Sequence, residues 1–168
     1  TWPVTLYAGL GRVRRFPDYW ELVTKESQVS PSAFDTRPET TTQLDAGAQV
    51  RRGATSAYIS TYASVVDDFI LIESNYAKSG IMGARLATVT RNVNARTAGA
   101  EMGATHRVGA RWTVDGSLAF AHGTNRTDRR PLAQMPPLEV RLGAQYADPR
   151  WSFGGLIRVA GAQRRVAL

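Results

Sequence analysis

The chain contains no cysteine, so its 168 residues alone cannot supply a disulfide framework or a thiolate metal site. It also lacks any run of about 18 apolar residues, which excludes a transmembrane helix. The first residues, Thr1-Trp2-Pro3, do not have the charged and apolar regions of a signal peptide. A membrane location therefore requires that the true N-terminus lies upstream.

Motifs for catalysis are also missing. The sequence has no Gly-x-Ser-x-Gly, no His-Glu-x-x-His and no Gly-rich phosphate loop. Asp67 and Asp68 are adjacent carboxylates, but neighbouring side chains of a strand point to opposite faces, so they form a poor acid–base pair. We interpret them as a solvated strand end. We expect neither enzymatic activity nor a cofactor in this segment.

The net charge of +7 raises the question of nucleic-acid binding. The basic residues, however, do not form a patch or follow one helix. They occur in pairs along the whole chain, at Arg14–Arg15, Arg51–Arg52, Arg129–Arg130 and Arg164–Arg165. We therefore expect no nucleic-acid partner.

Alternation of apolar and polar residues is the main positive signal. From Leu138 to Tyr146 every second residue is apolar, and polar residues or glycine lie between them. This period of two predicts a strand with one apolar and one polar face. The same pattern occurs at 2–10, 43–50, 112–120 and 151–159, and a weaker form occurs at 57–72 and 85–106. Only Pro17 to Lys25 has the composition for a helical turn.

The predicted connections alternate between short and long. Short turns are expected at 51–54, 107–110 and 147–150, and long loops at 12–39, 74–84 and 123–136. Outer-membrane barrels combine short turns on one side with long loops on the other. Four aromatic residues beside the short turns are predicted to form an aromatic girdle there: Tyr58, Trp112, Tyr146 and Trp151.

The polar positions indicate which face would meet lipid. Gln49, Glu101, Arg141 and Gln145 would be costly in a dry core but fit a wide, wet lumen. The opposite face, with Leu138, Val140, Leu142 and Trp151, is then expected to face lipid. We predict an all-β antiparallel up-and-down β-meander over residues 1–168, forming part of a transmembrane β-barrel.

Four segments, in the expected order, resemble the barrel of TonB-dependent receptors. They are Gly9–Leu22, with its aromatic, Pro and Glu-Leu; Arg37-Pro38-Glu39-Thr40-Thr41 at a strand start; Val66–Ile70 at the end of the following strand; and Asn94–Glu101 in a returning strand. Arg130–Glu139 and Arg158–Ala167 further resemble late strands of the copper-receptor branch. The resemblance covers nearly the whole chain.

Such a receptor imports a scarce nutrient across the outer membrane of a Gram-negative bacterium, and the resemblance to the copper branch implies copper as that nutrient. The resemblance implies a barrel of about 22 strands, an internal plug domain and energy from the TonB complex. The present chain is expected to be a fragment with about eight of those strands and without the plug. Outer-membrane lipid is the further partner, and the isolated fragment is expected to self-associate.

Copper(I) prefers thioether ligands and accepts imidazole. His122, Met135 and Met82 fall on the long-loop side, where a ligand would arrive, and are the metal candidates. Met102 and His106 run toward a short turn and are interpreted as structural. The resemblance implies a Cys/Met set on the plug and a His-x-Met on a barrel loop. No His-x-Met occurs here, so that site is expected outside this segment.

Two alternatives remain open at this point. One is an outer-membrane barrel that does not transport, such as the translocator of a secreted adhesin; a plug sequence upstream would exclude it. The other is a soluble β-barrel that binds a small ligand, whose apolar face would point inward. The basic segment Arg126–Arg130 is interpreted as a solvated loop, with contact to lipopolysaccharide phosphates as its functional alternative.

Overall fold

The computed structural model describes residues 3–80, 83–132 and 135–165. They form one antiparallel sheet and one short helix. The elements are β1 (Val4–Arg15), α1 (Tyr19–Val23), β2 (Glu39–Arg52), β3 (Thr55–Gly80), β4 (Gly83–Val108), β5 (Trp112–Asn125), β6 (Arg130–Pro131), β7 (Glu139–Ala147) and β8 (Ser152–Ala160). None of the helices in these ranges is long and apolar enough to span a membrane.

The sheet is an up-and-down meander. Its strands follow the order β1-β2-β3-β4-β5-β7-β8, and the two-residue strand β6 pairs beside them with β5. All of the strand pairs are antiparallel. The predicted fold class is therefore confirmed.

The three predicted short turns are confirmed. Gly53 and Gly109 adopt φ values of 56° and 65°, a left-handed conformation that glycine adopts at little cost. In the third turn, Oδ1 of Asp148 accepts hydrogen bonds from the backbone N–H groups of Arg150 and Trp151, both at 2.8 Å. These bonds lower the pKa of Asp148. Its side chain thereby performs the turn role that its residue type predicts.

One predicted loop is wrong. Residues 74–84 are not a long connection, because β3 and β4 are 26 residues each and stay paired as far as Gly80 and Gly83. Register shifts between Val66 and Phe69 and between Glu73 and Tyr76 place extra residues in β3. Each bulge reverses the alternation in β3, which is why the sequence pattern fades there.

The same irregularity corrects the interpretation of the carboxylate pair. Asp67 and Asp68 lie within β3 and do not end it. Asp68 adopts a φ of 57° at the first bulge and accepts a hydrogen bond of 2.6 Å from Arg37. It therefore helps to attach the connection before β2 to the middle of the sheet.

The first long connection is shorter than predicted, because β1 continues to Arg15, and the connection between β5 and β7 is shifted to 126–138, because β5 continues to Asn125 and β7 begins at Glu139. The helical turn expected at Pro17–Lys25 is confirmed as α1. Asp18 caps it and Glu21 reaches back to the Asp18 N–H, a reciprocal capping box.

Register places the side chains on two contrasting faces. Residues directly opposite each other in neighbouring strands lie on the same face. We define the apolar face by the row Leu6, Ala48, Ile59, Met102, Leu118, Val140 and Val159. We define the polar face by the row Thr5, Gln49, Tyr58, Gly103, Ser117, Arg141 and Arg158. The predicted division between Leu142 and Arg141 or Gln145 follows the same register.

The aromatic girdle forms in part. Trp112, Tyr146 and Phe153 pair across β5, β7 and β8 on the apolar face, with ring centroids 5.0–6.1 Å apart. Trp151 lies in the adjoining turn and is 70% exposed. The prediction for Tyr58, in contrast, is wrong. It belongs to the polar face, where its hydroxyl donates to Glu101 at 2.5 Å.

Three tyrosines of the polar face lie over glycines of the neighbouring strand. The ring of Tyr58 lies 2.7 Å from the point that a Cβ of Gly103 would occupy. Tyr7 covers Gly47 and Tyr62 covers Gly99 in the same way. Each glycine therefore leaves room for a ring that any larger residue would displace.

Candidate functional site at the long-loop end of the polar face

The long-loop end of the polar face carries most of the buried residues. Val66, Ala95 and Leu132 form a small apolar cluster, and Phe69 and Met135 pack against it. Leu132 and Met135 come from the connection between β5 and β7, so this loop is folded back against the strands. A loop held by buried apolar side chains is already ordered, so it loses less conformational entropy when a ligand binds than a solvated loop does.

An ion-pair cluster attaches the same loop to the long hairpin. Arg91, whose side chain is only 10% exposed, donates to Glu73 at 2.8 Å and also to Asp128. Asn125 donates to Asp128 at 2.7 Å. The Arg91 guanidinium is the main reason that the pKa of Asp128 lies below its ordinary value. The buried cation thus has two carboxylate partners and the loop has a charged anchor.

A second cluster holds the connection between β1 and β2. The Lys78 ammonium is buried and donates to Glu26 at 2.8 Å and to the carbonyls of Ser27 and Ser30 at 3.0 and 2.6 Å. Arg85 donates to both Glu26 oxygens, at 2.9 and 2.6 Å. Arg85 first, and Lys78 next, lower the pKa of Glu26 to about 2. The contribution of the Glu26 ion pairs to folding stability is therefore complete above the ordinary pKa of glutamate, and it is lost as the pH falls through about 2.

A third cluster fixes α1 to the sheet. The Arg15 guanidinium lies 3.0 Å from carboxylate oxygens of both Glu21 and Glu39. Nearby, the Thr90 hydroxyl donates to the Glu21 carbonyl at 3.1 Å. These three clusters join residues that are far apart in sequence, so no local pattern could have predicted them. Every charged group in them has a partner of opposite charge, which indicates that they position the loops.

Removing the Lys78 charge should release this connection. In Lys78→Met, Glu26 loses its buried partner and two carbonyls lose their donor, so we expect the Glu26 and Thr90 amides to exchange with solvent about tenfold faster. Hydrogen–deuterium exchange on the full-length protein measures this. Arg85→Met is the matched control, because Arg85 binds the same carboxylate from an exposed position; we expect a smaller effect there. Equal exchange in both variants would contradict the anchoring role of Lys78.

The structure separates the predicted metal candidates. His122 pairs with Ala98 on the apolar face, and its Nε2 is buried without a hydrogen-bond partner among the described residues. Met135 lies over the polar face, with its sulfur 2.6 Å from the position that a Cβ of Gly123 would occupy. The two donors are thus on opposite sides of the sheet. Met82 lies outside the described residues, as do Trp2 and parts of the segments at 130–139 and 158–167.

The two residues interpreted as structural lie in the strands near the short turns. Met102 pairs with Ile59 and Leu118 on the apolar face. The His106 ring lies 2.8 Å from the Thr55 hydroxyl. In the ranges 3–80, 83–132 and 135–165, no three His, Asp or Glu side chains are grouped so as to hold a metal ion.

A wide antiparallel sheet with one apolar face, short turns at one end and charge-anchored loops at the other defines a membrane β-barrel wall. The chain belongs to the family of TonB-dependent receptor-like β-barrels, which matches residues 1–167. It is therefore a segment of an outer-membrane β-barrel of a Gram-negative bacterium, and the receptors of this family are not enzymes.

Among solved structures, the chain is similar to the copper transporter OprC, with 46% sequence identity and a TM-score of 0.87. The match covers 99% of this chain but only 25% of that protein. The chain thus spans about a quarter of the length of the transporter that it matches. A search of curated proteins finds no match. Family membership also excludes the soluble ligand-binding barrel considered from the sequence.

Proposed function

We propose that the full-length protein imports copper across the outer membrane with energy from the TonB complex. The observation that carries this proposal is the 46% identity to a copper transporter over nearly the whole chain. Both the fold and the residue-level similarity favour the same substrate. The present chain contributes part of the barrel wall, and the rest of the protein supplies the remaining strands and a plug domain.

In this proposal the two faces have separate partners. The apolar face contacts outer-membrane lipid, since its exposed leucines and valines would be costly in water. The polar face lines the lumen beside the plug, where Arg141 and Gln145 remain hydrated. The anchored connections lie on the extracellular side, as the long loops of such barrels do. The segment thus holds the entrance of the transport path in shape.

Met135 is the donor of this chain best placed for copper as a transported substrate. Its thioether lies over the polar face, and a soft sulfur suits Cu(I). His122 lies on the other side of the sheet, and Met82 remains a sequence-based candidate. We therefore assign Met135 an auxiliary contact on the path and place the tight site elsewhere in the protein.

Copper uptake by cells tests the proposal. A strain without its own receptor and supplied with the full-length protein should accumulate copper, measured by mass spectrometry of washed cells, only while the TonB complex is intact. An absence of TonB-dependent accumulation would contradict the copper-import function.

For Met135→Leu, which keeps the volume but removes the sulfur, we expect about a twofold to fivefold slower uptake at limiting copper, because one soft ligand is lost. His122→Leu is the control, and equal uptake by wild type and Met135→Leu would remove Met135 from the path.

A further inference from the structure

The apolar face ends at a sharp boundary on the long-loop side. Its last mainly apolar row consists of Leu10, Leu44, Ala63, Ala98 and His122. Two residues further along each strand, about 7 Å away, lies a row that we call the arginine row. It consists of Arg12, Thr42, Val65, Arg96 and Thr124. Positive charge therefore directly borders apolar surface.

The arginines at this boundary are uncompensated. Arg12 and Arg96 are exposed, and so is Arg126, which follows β5. Within the part of the chain that the structure describes, none of the three forms a salt bridge. Their situation contrasts with that of Arg15, Arg91 and Arg85, each of which has a carboxylate partner. Such free guanidinium groups are suited to an external anion.

The position of the row corresponds to one membrane surface. Along β5, Trp112 of the aromatic girdle and Thr124 of the arginine row are about 40 Å apart, at roughly 3.4 Å per residue. With a strand tilt of about 40°, the vertical separation is about 30 Å, slightly more than the apolar band of about 25 Å in outer-membrane barrels. The girdle marks the short-turn surface, so the arginine row lies at the headgroups of the outer leaflet.

A shallow depression adjoins the row on its apolar side. Leu10, Leu44, Ala63 and Ala98 line it, and His122 borders it. Arg96 and Arg126 belong to the same depression. The small side chains of the two alanines, between larger neighbours, leave space for a hydrocarbon chain. Apolar surface and uncompensated cations therefore meet in one place. A small soluble anion would contact only the cations, so the combination indicates a ligand with both a charged and an apolar part.

We propose that the arginine row and this depression bind the phosphorylated headgroup and an acyl chain of lipid A, the membrane anchor of lipopolysaccharide. Guanidinium groups bind phosphate through two parallel hydrogen bonds. Arg12 and Arg96 are three strands apart, about 14 Å, a separation that suits a headgroup with two phosphates on a disaccharide. Asp67, one row further out, lies beyond the proposed contact. The proposal is independent of the transported substrate.

Lipid A binding to the full-length receptor in detergent provides the test. We compare wild type with the triple variant Arg12→Gln, Arg96→Gln and Arg126→Gln. The control is Arg51→Gln, Arg107→Gln and Arg150→Gln, which removes the same charge near the short turns. Native mass spectrometry measures binding of bisphosphorylated lipid A, dephosphorylated lipid A and phosphatidylglycerol. A heat-modifiability gel verifies that all three proteins are folded.

We expect the triple variant, called the boundary variant, to bind bisphosphorylated lipid A at least about tenfold more weakly than wild type, because it lacks three guanidinium groups that attract anionic headgroups. The control should stay within about twofold of wild type. Dephosphorylated lipid A should bind weakly, and equally well to wild type and to the boundary variant. Equal binding of lipid A by boundary variant and wild type, or equal losses in boundary and control variants, would overturn the proposal. An equally large loss for phosphatidylglycerol would show a general anionic surface and would also overturn it.

Discussion

Leu118→Arg is expected to destabilise the full-length barrel in lipid by about 2–4 kcal/mol, the cost of an arginine near the bilayer midplane on the lipid face. Leu118 lies on the apolar face, between Met102 and Val140. It is also halfway along β5 between the aromatic girdle at Trp112 and the arginine row at Thr124. Guanidinium unfolding of the receptor in lipid vesicles measures the effect.

The adjacent residue provides a matched control. Ala119 lies on the polar face, directly between Glu101 and Glu139. An arginine there has two carboxylates within reach and a hydrated lumen around it, so Ala119→Arg should leave stability within about 1 kcal/mol of wild type. If Ala119→Arg destabilised the barrel and Leu118→Arg did not, the assignment of the two faces would be reversed.

The isolated chain is expected to associate with itself in plain buffer. Every residue of β1 and β8 is exposed, so both edges of the sheet present backbone groups to a second chain. The apolar face is also uncovered, with Leu6 at 75% and Ile157 at 65% exposure. Two independent driving forces for association therefore act on the same molecule.

Light scattering of the isolated chain, with and without detergent, measures this association. We expect oligomers or aggregates in buffer. Dissociation by detergent would assign the contact to the apolar face, and persistence would assign it to the strand edges. A clean monomer in buffer would contradict the prediction. The full-length receptor in detergent, whose edges are paired within a closed barrel, is the control.

The strands near the short turns could be predicted because each separates two environments. From Leu138 to Tyr146 the alternation matches the register of β7 against β5 and β8, because the apolar and polar faces of the sheet require opposite side chains. The outer halves of β3 and β4 have no such contrast. There Val89 and Val93 on one face and Ile70 and Thr90 on the other are all buried. Because both faces are buried and each mixes apolar with polar side chains, these halves have no period of two to detect.

The candidate site was only partly accessible to sequence analysis. The register is compatible with the prediction that His122 and Met135 lie on the long-loop side. Their placement on opposite faces of the sheet depends on how the loop after β5 folds back against the strands. The ion pairs of Lys78 and Arg91 join residues 18 to 52 positions apart. Such contacts follow from strand register and loop packing, so a single sequence contains no local signal for them.

With the polar face toward the lumen, as proposed, the tyrosines that lie over glycines affect how much space the barrel interior keeps. A tyrosine that projected from the wall would reduce the cross-section that another domain could occupy. Tyr58, by contrast, follows the wall, because Gly103 has no side chain to lift its ring away. Gly47 and Gly99 do the same for Tyr7 and Tyr62. These large side chains thus cover the neighbouring strand and project less far from the wall than a tyrosine held off by a side chain would.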